Sequence, residues 1–305
     1  MALTAFRQRK SMKSTLLADY LAPLTVDVDD TEKNRIISSA IQNLGDGRAH
    51  VIGFSGKKGA GKDTMAHYFI EQLSADEHHA KQAPISAGIK NEAQEMFTSI
   101  YTWLDEQAKP IDMIPISQNS HIQSYLADRN LAWKEFEKSF TSRFNVSHRN
   151  FEYIMYLVYP LLKKDKTITG MSRNNEVISL LQYLGKDVRQ PQDELYWVRK
   201  ALWNIALNAS NGISSMVTDV RFAHDAGSVL DVGGYLVRLD ISPEEQAKRL
   251  MGRDGVVVPP ETLNHISETA LDDFKDFNVR VDTTVGDSCY TGETIYKSWK
   301  ESKNG

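Results

Sequence analysis

Residues 51–64, VIGFSGKKGAGKDT, constrain the fold of this chain more than any other stretch. The apolar run Val51–Phe54 reads as a buried strand, and Thr64–Leu73 has the periodicity of a helix. Between them, Gly56, four intervening residues and Gly61-Lys62 match the phosphate-loop spacing G-x-x-x-x-G-K. The chemistry explains the spacing. Glycines let the backbone curl around an anion so that successive N–H groups point inward, and the following helix adds the positive end of its dipole. Gly56, Lys57, Gly59, Ala60, Gly61, Lys62, Asp63 and Thr64 are therefore the candidate nucleotide-phosphate contacts, with Lys62 as the mobile charge for the outer phosphates. The residue after the lysine departs from the usual Ser or Thr. It is Asp63, with Thr64 one step later.

The pattern along the rest of the chain is one of strands alternating with helices. Strands are expected at Ala83–Ser86, Ser214–Val220, Gly234–Leu239 and Phe277–Val281. Helices are expected at about Gly88–Leu104, at Glu176–Leu184 closed by Gly185, and at Glu194–Leu207. Further helices are expected at Ala223–Leu230, Pro243–Met251 and near Thr294–Trp299. Such alternation argues for a parallel sheet wrapped by helices on both faces. Ligands in such sheets bind beyond the carboxyl ends of the strands, where Gly56–Lys62 and Asp219–Arg221 should both lie.

Three regions stand outside that pattern. Residues 1–47 read as a basic tail (Arg7, Arg9, Lys10, Lys13) followed by a helical extension carrying Ile36, Ile37, Ala40, Ile41 and Leu44. The main domain is expected to run over residues 48–305. Within it, about 105–172 is irregular in pattern, with aromatic clusters at Trp133–Phe144 and Phe151–Tyr159, and reads as a helical insertion. About 252–272 reads as a polar lid between a helix and the last strand.

Composition narrows the partners. The 305 residues carry a formal net charge of −4, which argues against a protein built to hold a nucleic-acid backbone. No apolar stretch approaches a membrane span, and the single Cys289 excludes an internal disulfide and fits a reducing cytoplasm. Whether the chain is a monomer or a homodimer stays open at this level.

Asp219 ends an apolar strand, where phosphate-loop enzymes keep the acidic residue that holds Mg²⁺. The competing reading is a cap on the next helix. Arg221 beside it could clamp a phosphate through two N–H groups. Arg249 and Arg253, four apart, share a helix face ahead of the lid.

With those residues in view, a resemblance follows. GKKGAGKDT at 56–64, TDVRF at 218–222 and HISETALDD at 265–273 resemble the deoxynucleoside monophosphate kinases of tailed bacteriophages. LLQYLGKDVRQ at 180–190 and YWVRKAL at 196–202 are similar to that family's central helices, and an Asp after the loop lysine is one of its traits. Animal phosphomevalonate kinases are similar at several of the same blocks. The resemblance covers about residues 49–300, most strongly at those blocks. ISAGIK at 85–90 stands where such kinases have a Phe-Ala-Asp-Pro-Leu-Lys-like stretch; Lys90 is kept and the Asp-Pro is not.

The resemblance implies a three-layer α/β phosphate-loop kinase core, of the nucleoside monophosphate kinase type, with a helical acceptor-binding insertion and a lid. It implies ATP- and Mg²⁺-dependent phosphoryl transfer to a nucleotide substrate, a (deoxy)nucleoside monophosphate. Asp63, Thr64 and Asp219 would organise the metal, and Lys90, Arg189 and Arg221 would neutralise the acceptor phosphate. Arg249 and Arg253 would meet the transition state, with Lys62, Asp219, Arg221 and Arg253 as the catalytic set and Glu268 as a lid contact to substrate. Alternatives at this level are phosphomevalonate or a hydroxymethylated base in DNA as acceptor, or a nucleotide-gated switch without catalysis.

Overall fold

The structure is a computed structural model that describes residues 16–106, 130–162, 167–168, 174–255, 259, 263 and 265–304. The chain divides into two compact units: residues 1–86 with 197–305, and residues 87–196.

The first unit is built on a five-stranded parallel sheet. Its strands are β1 (Val51–Gly56), β2 (Ala80–Gln82), β3 (Ser214–Val220), β4 (Tyr235–Asp240) and β5 (Val279–Asp282), in the order β2-β3-β1-β4-β5. Four helices flank them: α1 (Asp30–Gly45), α2 (Lys62–Ala75), α8 (Ala223–Asp231) and α11 (Ser288–Asn304). β1 lies at the centre, and β1, β3 and β4 are buried almost throughout, as parallel strands covered on both faces must be. On one face Ile52, Phe54, Val237 and Leu239 pack with Met65, Phe69 and Leu73 of α2 and with Ile295, Tyr296 and Trp299 of α11. On the other face Gly53 is pressed so closely that a Cβ there would meet Val229 of α8 at 3.0 Å.

That division of helices matters for the site. β1 and β3 are neighbours, yet the helix after β1 covers one face and the helix after β3 covers the other. The two chain paths diverge at the carboxyl ends of these strands and leave a crevice between them, the usual ligand position in an open parallel sheet.

Residues 16–47 are built into this unit. Leu17, Leu21 and Leu24 are buried, and α1 starts at an Asp29 cap that accepts from the Glu32 amide. Asn43 Nδ2 donates to the Ala209 carbonyl at the end of α7 (Tyr196–Ser210). The expected helical extension is thus a short helix at 16–21 and then α1, and the basic residues of 1–15 lie outside the described residues.

The second unit is helical: α3 (Ser86–Glu106, entering from the first unit), α4 (Asn130–Phe144), α5 (His148–Leu162) and α6 (Asn175–Tyr183). Its core is aromatic, with Phe97, Phe140, Phe144 and Phe151 buried and Trp133 and Phe136 packed against them. The unit is wider than the insertion expected at 105–172, of which residues 107–129, 163–166 and 169–172 lie outside the described residues.

Three expected boundaries are corrected. Gly185 does not end its helix: Leu184–Arg189 continues as a π-helical turn. The second strand is Ala80–Gln82 rather than Ala83–Ser86, because Pro84 has no N–H to give a ladder and Ser86 already begins α3. The last helix starts at Ser288, six residues ahead of Thr294, with the Asp287 side chain accepting from the Tyr290 amide.

Candidate active site

In the loop joining β1 to α2 the carbonyls from Gly56 to Ala60 each accept a side-chain hydrogen bond. Lys62 Nζ donates to the carbonyls of Gly56 (2.7 Å) and Lys57 (3.0 Å). Gln246 Nε2 donates to the Lys58 carbonyl (2.9 Å), Arg249 Nη1 to that of Gly59 (3.5 Å), and Thr283 Oγ1 to that of Ala60 (3.3 Å). Three consecutive carbonyls, those of Lys58, Gly59 and Ala60, are therefore held by side chains from outside the loop, whereas those of Gly56 and Lys57 are held by the loop's own lysine. Two glycines make the curl feasible. Gly56, at φ +147°, lies so near Leu239 that a Cβ would run into its main chain, and Gly61, at φ +92°, is the left-handed residue that starts α2.

Gln246 and Arg249 come from α9 (Pro243–Asp254), started by the Ser242 cap with Pro243 in its first turn. Arg249 also bonds Glu245 (2.9 Å) and the Thr283 carbonyl (2.5 Å). These contacts put Arg249 against the outer side of the loop, where it positions the Gly59 carbonyl. Arg253 lies exposed in the last turn of α9.

Lys62 is half-buried, and burial is the main force pulling its ammonium pKa down to about 8, followed by the neighbouring Arg221 cation. Glu268 and Asp63 oppose that shift, and Arg238 reinforces it. The lysine is thus a partly desolvated cation, which a bound anion would stabilise.

Arg221 and Glu268 define the front of the site. Asp225 Oδ2 accepts from the backbone N–H groups of Arg221 (3.0 Å) and Phe222 (2.9 Å), fixing the chain as it leaves β3. Arg221 Nη1 then donates to Glu268 Oε1 at 2.8 Å and to Ser267 Oγ at 3.3 Å. The other oxygen, Glu268 Oε2, accepts from the Lys58 backbone N–H at 2.6 Å. One carboxylate thus joins a loop amide to the arginine.

Glu268 belongs to the helical turn α10 (Ile266–Thr269), whose His265 Nδ1 accepts from the Ser267 amide. Asp272, four residues on, pairs with Arg238 and reaches Lys57 at 3.6 Å. Residues 256–258, 260–262 and 264 of the expected lid lie outside the described residues.

Arg238 was not anticipated. It sits on β4, only 3% exposed, bonded to Asp240 (3.1 Å), Ser55 Oγ (3.2 Å) and Asp272. A single arginine inside the apolar strand YLVRLD is the signal that could have found it, since a lone buried charge needs a purpose.

Asp219 is not a cap on the helix that follows it in sequence. Its two oxygens accept the backbone N–H groups of Ile85 (2.7 Å) and Ser86 (2.8 Å), so it caps α3 rather than the helix that follows it in sequence. A carboxylate has about four lone-pair directions, so these bonds leave acceptor capacity on the crevice side. Asp63 and Thr64 are exposed in the first turn of α2, and Gly61 rather than Asp63 is the start of that helix. Asp63, Thr64 and Asp219 are hard oxygen donors of the kind Mg²⁺ takes. Among the described residues no three His, Cys, Asp or Glu side chains converge on one point. Mg²⁺ on a nucleotide needs only one or two protein oxygens beside the phosphates, so these residues fit it.

Arg189 is corrected. It lies in the helical unit, 3% exposed, bonded through Nε (2.7 Å) and Nη2 to Glu92, and through Nη2 to the Phe144 carbonyl. Its Nη1 donates to the Asn145 carbonyl (3.1 Å) and Gln192 (3.0 Å). Those contacts match all five N–H groups of a guanidinium, so none remains for an acceptor phosphate. Tyr196 donates to the other Glu92 oxygen at 2.9 Å, and burial raises its own pKa. Lys90 is exposed on α3 of the same unit.

No family model and no curated protein matches the sequence. Among the described residues, no helix is long and apolar enough to cross a membrane.

Proposed function

We propose that this chain is an ATP- and Mg²⁺-dependent phosphotransferase whose acceptor is a (deoxy)nucleoside monophosphate. The observation that carries the donor half is the loop 56–62: its Lys58, Gly59 and Ala60 carbonyls are held from outside the loop and its Gly56 and Lys57 carbonyls by Lys62, at the switch point of a parallel sheet. Such a loop offers convergent amides and a lysine to a polyphosphate. The acceptor half rests on the resemblance at 218–222 and 265–273 to phage-type kinases.

In this reading the loop amides and Lys62 hold the donor's outer phosphates. Arg221, within a carboxylate's span of the Lys58 amide, meets the phosphoryl group as it passes to the acceptor. Gln246, Arg249 and Thr283 keep the loop rigid, so that no reorganisation is needed when charge develops. Mg²⁺, when bound, would neutralise and bridge phosphate oxygens, with Asp63, Thr64 and Asp219 as the protein oxygens available to it. Phosphoryl transfer is served by positioning and charge, so no nucleophilic side chain is required. The test is a coupled assay of ADP release with each deoxynucleoside monophosphate as acceptor, alongside phosphomevalonate and hydroxymethylated DNA. Release with at least one mononucleotide supports the reading. Release only with one of the others moves the acceptor, and release with none removes the proposed transferase.

A further inference from the structure

The Glu268 carboxylate sits where an anion would bind, and its surroundings say how firmly. Its side chain is 9% exposed, against 42% for its partner Arg221. One oxygen takes the Lys58 amide and the other the Arg221 guanidinium. Those are the two kinds of donor, loop N–H and planar cation, that a phosphoryl group would engage. A triphosphate that claims the Lys58 amide must therefore take it from Glu268, because two anions cannot share one donor at 2.6 Å without strong repulsion.

The segment is built so that the carboxylate can leave while its base stays. Leu271 is 1% exposed, and Asp272 is tied to Arg238, itself buried in β4. Glu268 lies one turn earlier, in the short turn Ile266–Thr269, which has no buried residue. Rotation of one side chain clears the seat without moving the anchor.

We propose that Glu268 is an internal competitor for the donor-phosphate seat, a selectivity gate that a polyphosphate displaces and a single phosphate does not. This rests on the phosphate-loop reading above. The carboxylate carries one charge and is tethered, so its effective concentration at the seat is high. A ligand with several charged phosphates along the loop outbids it; a lone phosphate offers little more than the carboxylate already supplies. The gate would keep the acceptor monophosphate from blocking the donor site.

The experiment is calorimetric titration of the full-length chain with inorganic tripolyphosphate and, separately, with orthophosphate. If Glu268 fills the seat about nine-tenths of the time, Glu268→Gln tightens tripolyphosphate roughly tenfold, since apparent affinity scales with the open fraction. Orthophosphate tightens by the same factor, so that its weak binding moves toward the measurable range in the same variant. Glu268→Asp, too short to reach both donors, moves both quantities in the same direction and guards against a folding defect in the first variant. Unchanged or weaker tripolyphosphate binding in both folded variants overturns the gate and leaves the loop reading standing. No tripolyphosphate binding by the wild type or by either variant overturns the loop reading, and the gate with it.

Discussion

Two arginines separate the two units of this molecule. Arg189, in the helical unit, spends every N–H on its own protein: Glu92, Gln192 and the carbonyls of Phe144 and Asn145. Arg221, in the sheet unit, is half-exposed and leans on one carboxylate and a serine hydroxyl. Both lie in blocks that resemble a kinase family, and the sequence puts Arg221 ahead of Arg189 only through its place beside Asp219 at a strand end. Their surroundings tell them apart. A guanidinium with all donors satisfied in the interior is part of the fold, whereas a half-exposed one held by a single carboxylate and a hydroxyl keeps donors free to take other partners.

The contrast breaks most visibly under truncation. Arg189→Ala is expected to cost about 3–5 kcal/mol of stability, because it strands Glu92 as a buried charge. Thermal or urea unfolding measures this, and the affinity for a non-hydrolysable ATP analogue should be unchanged wherever the variant is still folded. A loss of less than about 1 kcal/mol would return Arg189 to the candidates for ligand binding.

Arg221→Ala sharpens the other side. Its ion pair is solvent-screened, so stability should move by no more than about 0.5 kcal/mol. Loss of a charged donor to a phosphoryl group should instead lower kcat/KM by roughly ten- to a hundredfold, about 1.5–3 kcal/mol. Arg221→Lys should recover part of that loss, since an ammonium lacks the planar fork. Wild-type kinetics in a destabilised Arg221→Ala would reverse the assignment of the two arginines.

The smallest effect is on pH. Lys62, pulled down to about 8, holds fewer protons in the folded chain than in the unfolded one between that value and the ordinary lysine range. Its contribution to stability is fully present above the ordinary lysine value and is lost as pH falls through about 8. Lys62→Met should remove that rise in stability between pH 8 and 10. Binding has the opposite sign: a triphosphate favours the charged ammonium, so the wild type should take up protons on binding near pH 8–9. Calorimetry in buffers of different ionisation enthalpy reads this directly, and an uptake identical in Lys62→Met would assign it to another group.

Part of this was legible in the sequence. The glycine spacing and three apolar runs located β1, β3, β4 and the loop, because buried parallel strands are nearly continuous in apolar residues. β2 was missed by three residues because Ala80–Gln82 is an edge strand with Lys81 and Gln82 exposed, and edge strands carry little apolar signal. The glycine rule failed at Gly185, where packing of Leu184 and Val188 in the aromatic core carries the turn onward. Gln246 and Thr283 were invisible as site residues. They act on the loop through its backbone, from positions 188 and 223 residues away from their partners, and spacing cannot encode such contacts. Arg189 stayed among the candidates beside Arg221 because a sequence displays charge but not the carbonyls that will consume it.

The most direct test of the account is turnover of ATP by the wild type and by Lys62→Ala, with ADP release followed in the presence of deoxynucleoside monophosphates. Lys62 both braces the loop through Gly56 and Lys57 and supplies its mobile charge. The account predicts a loss of a hundredfold or more in kcat/KM, about 3 kcal/mol of transition-state stabilisation, in a variant that remains folded. Near-normal turnover in a folded Lys62→Ala would contradict it.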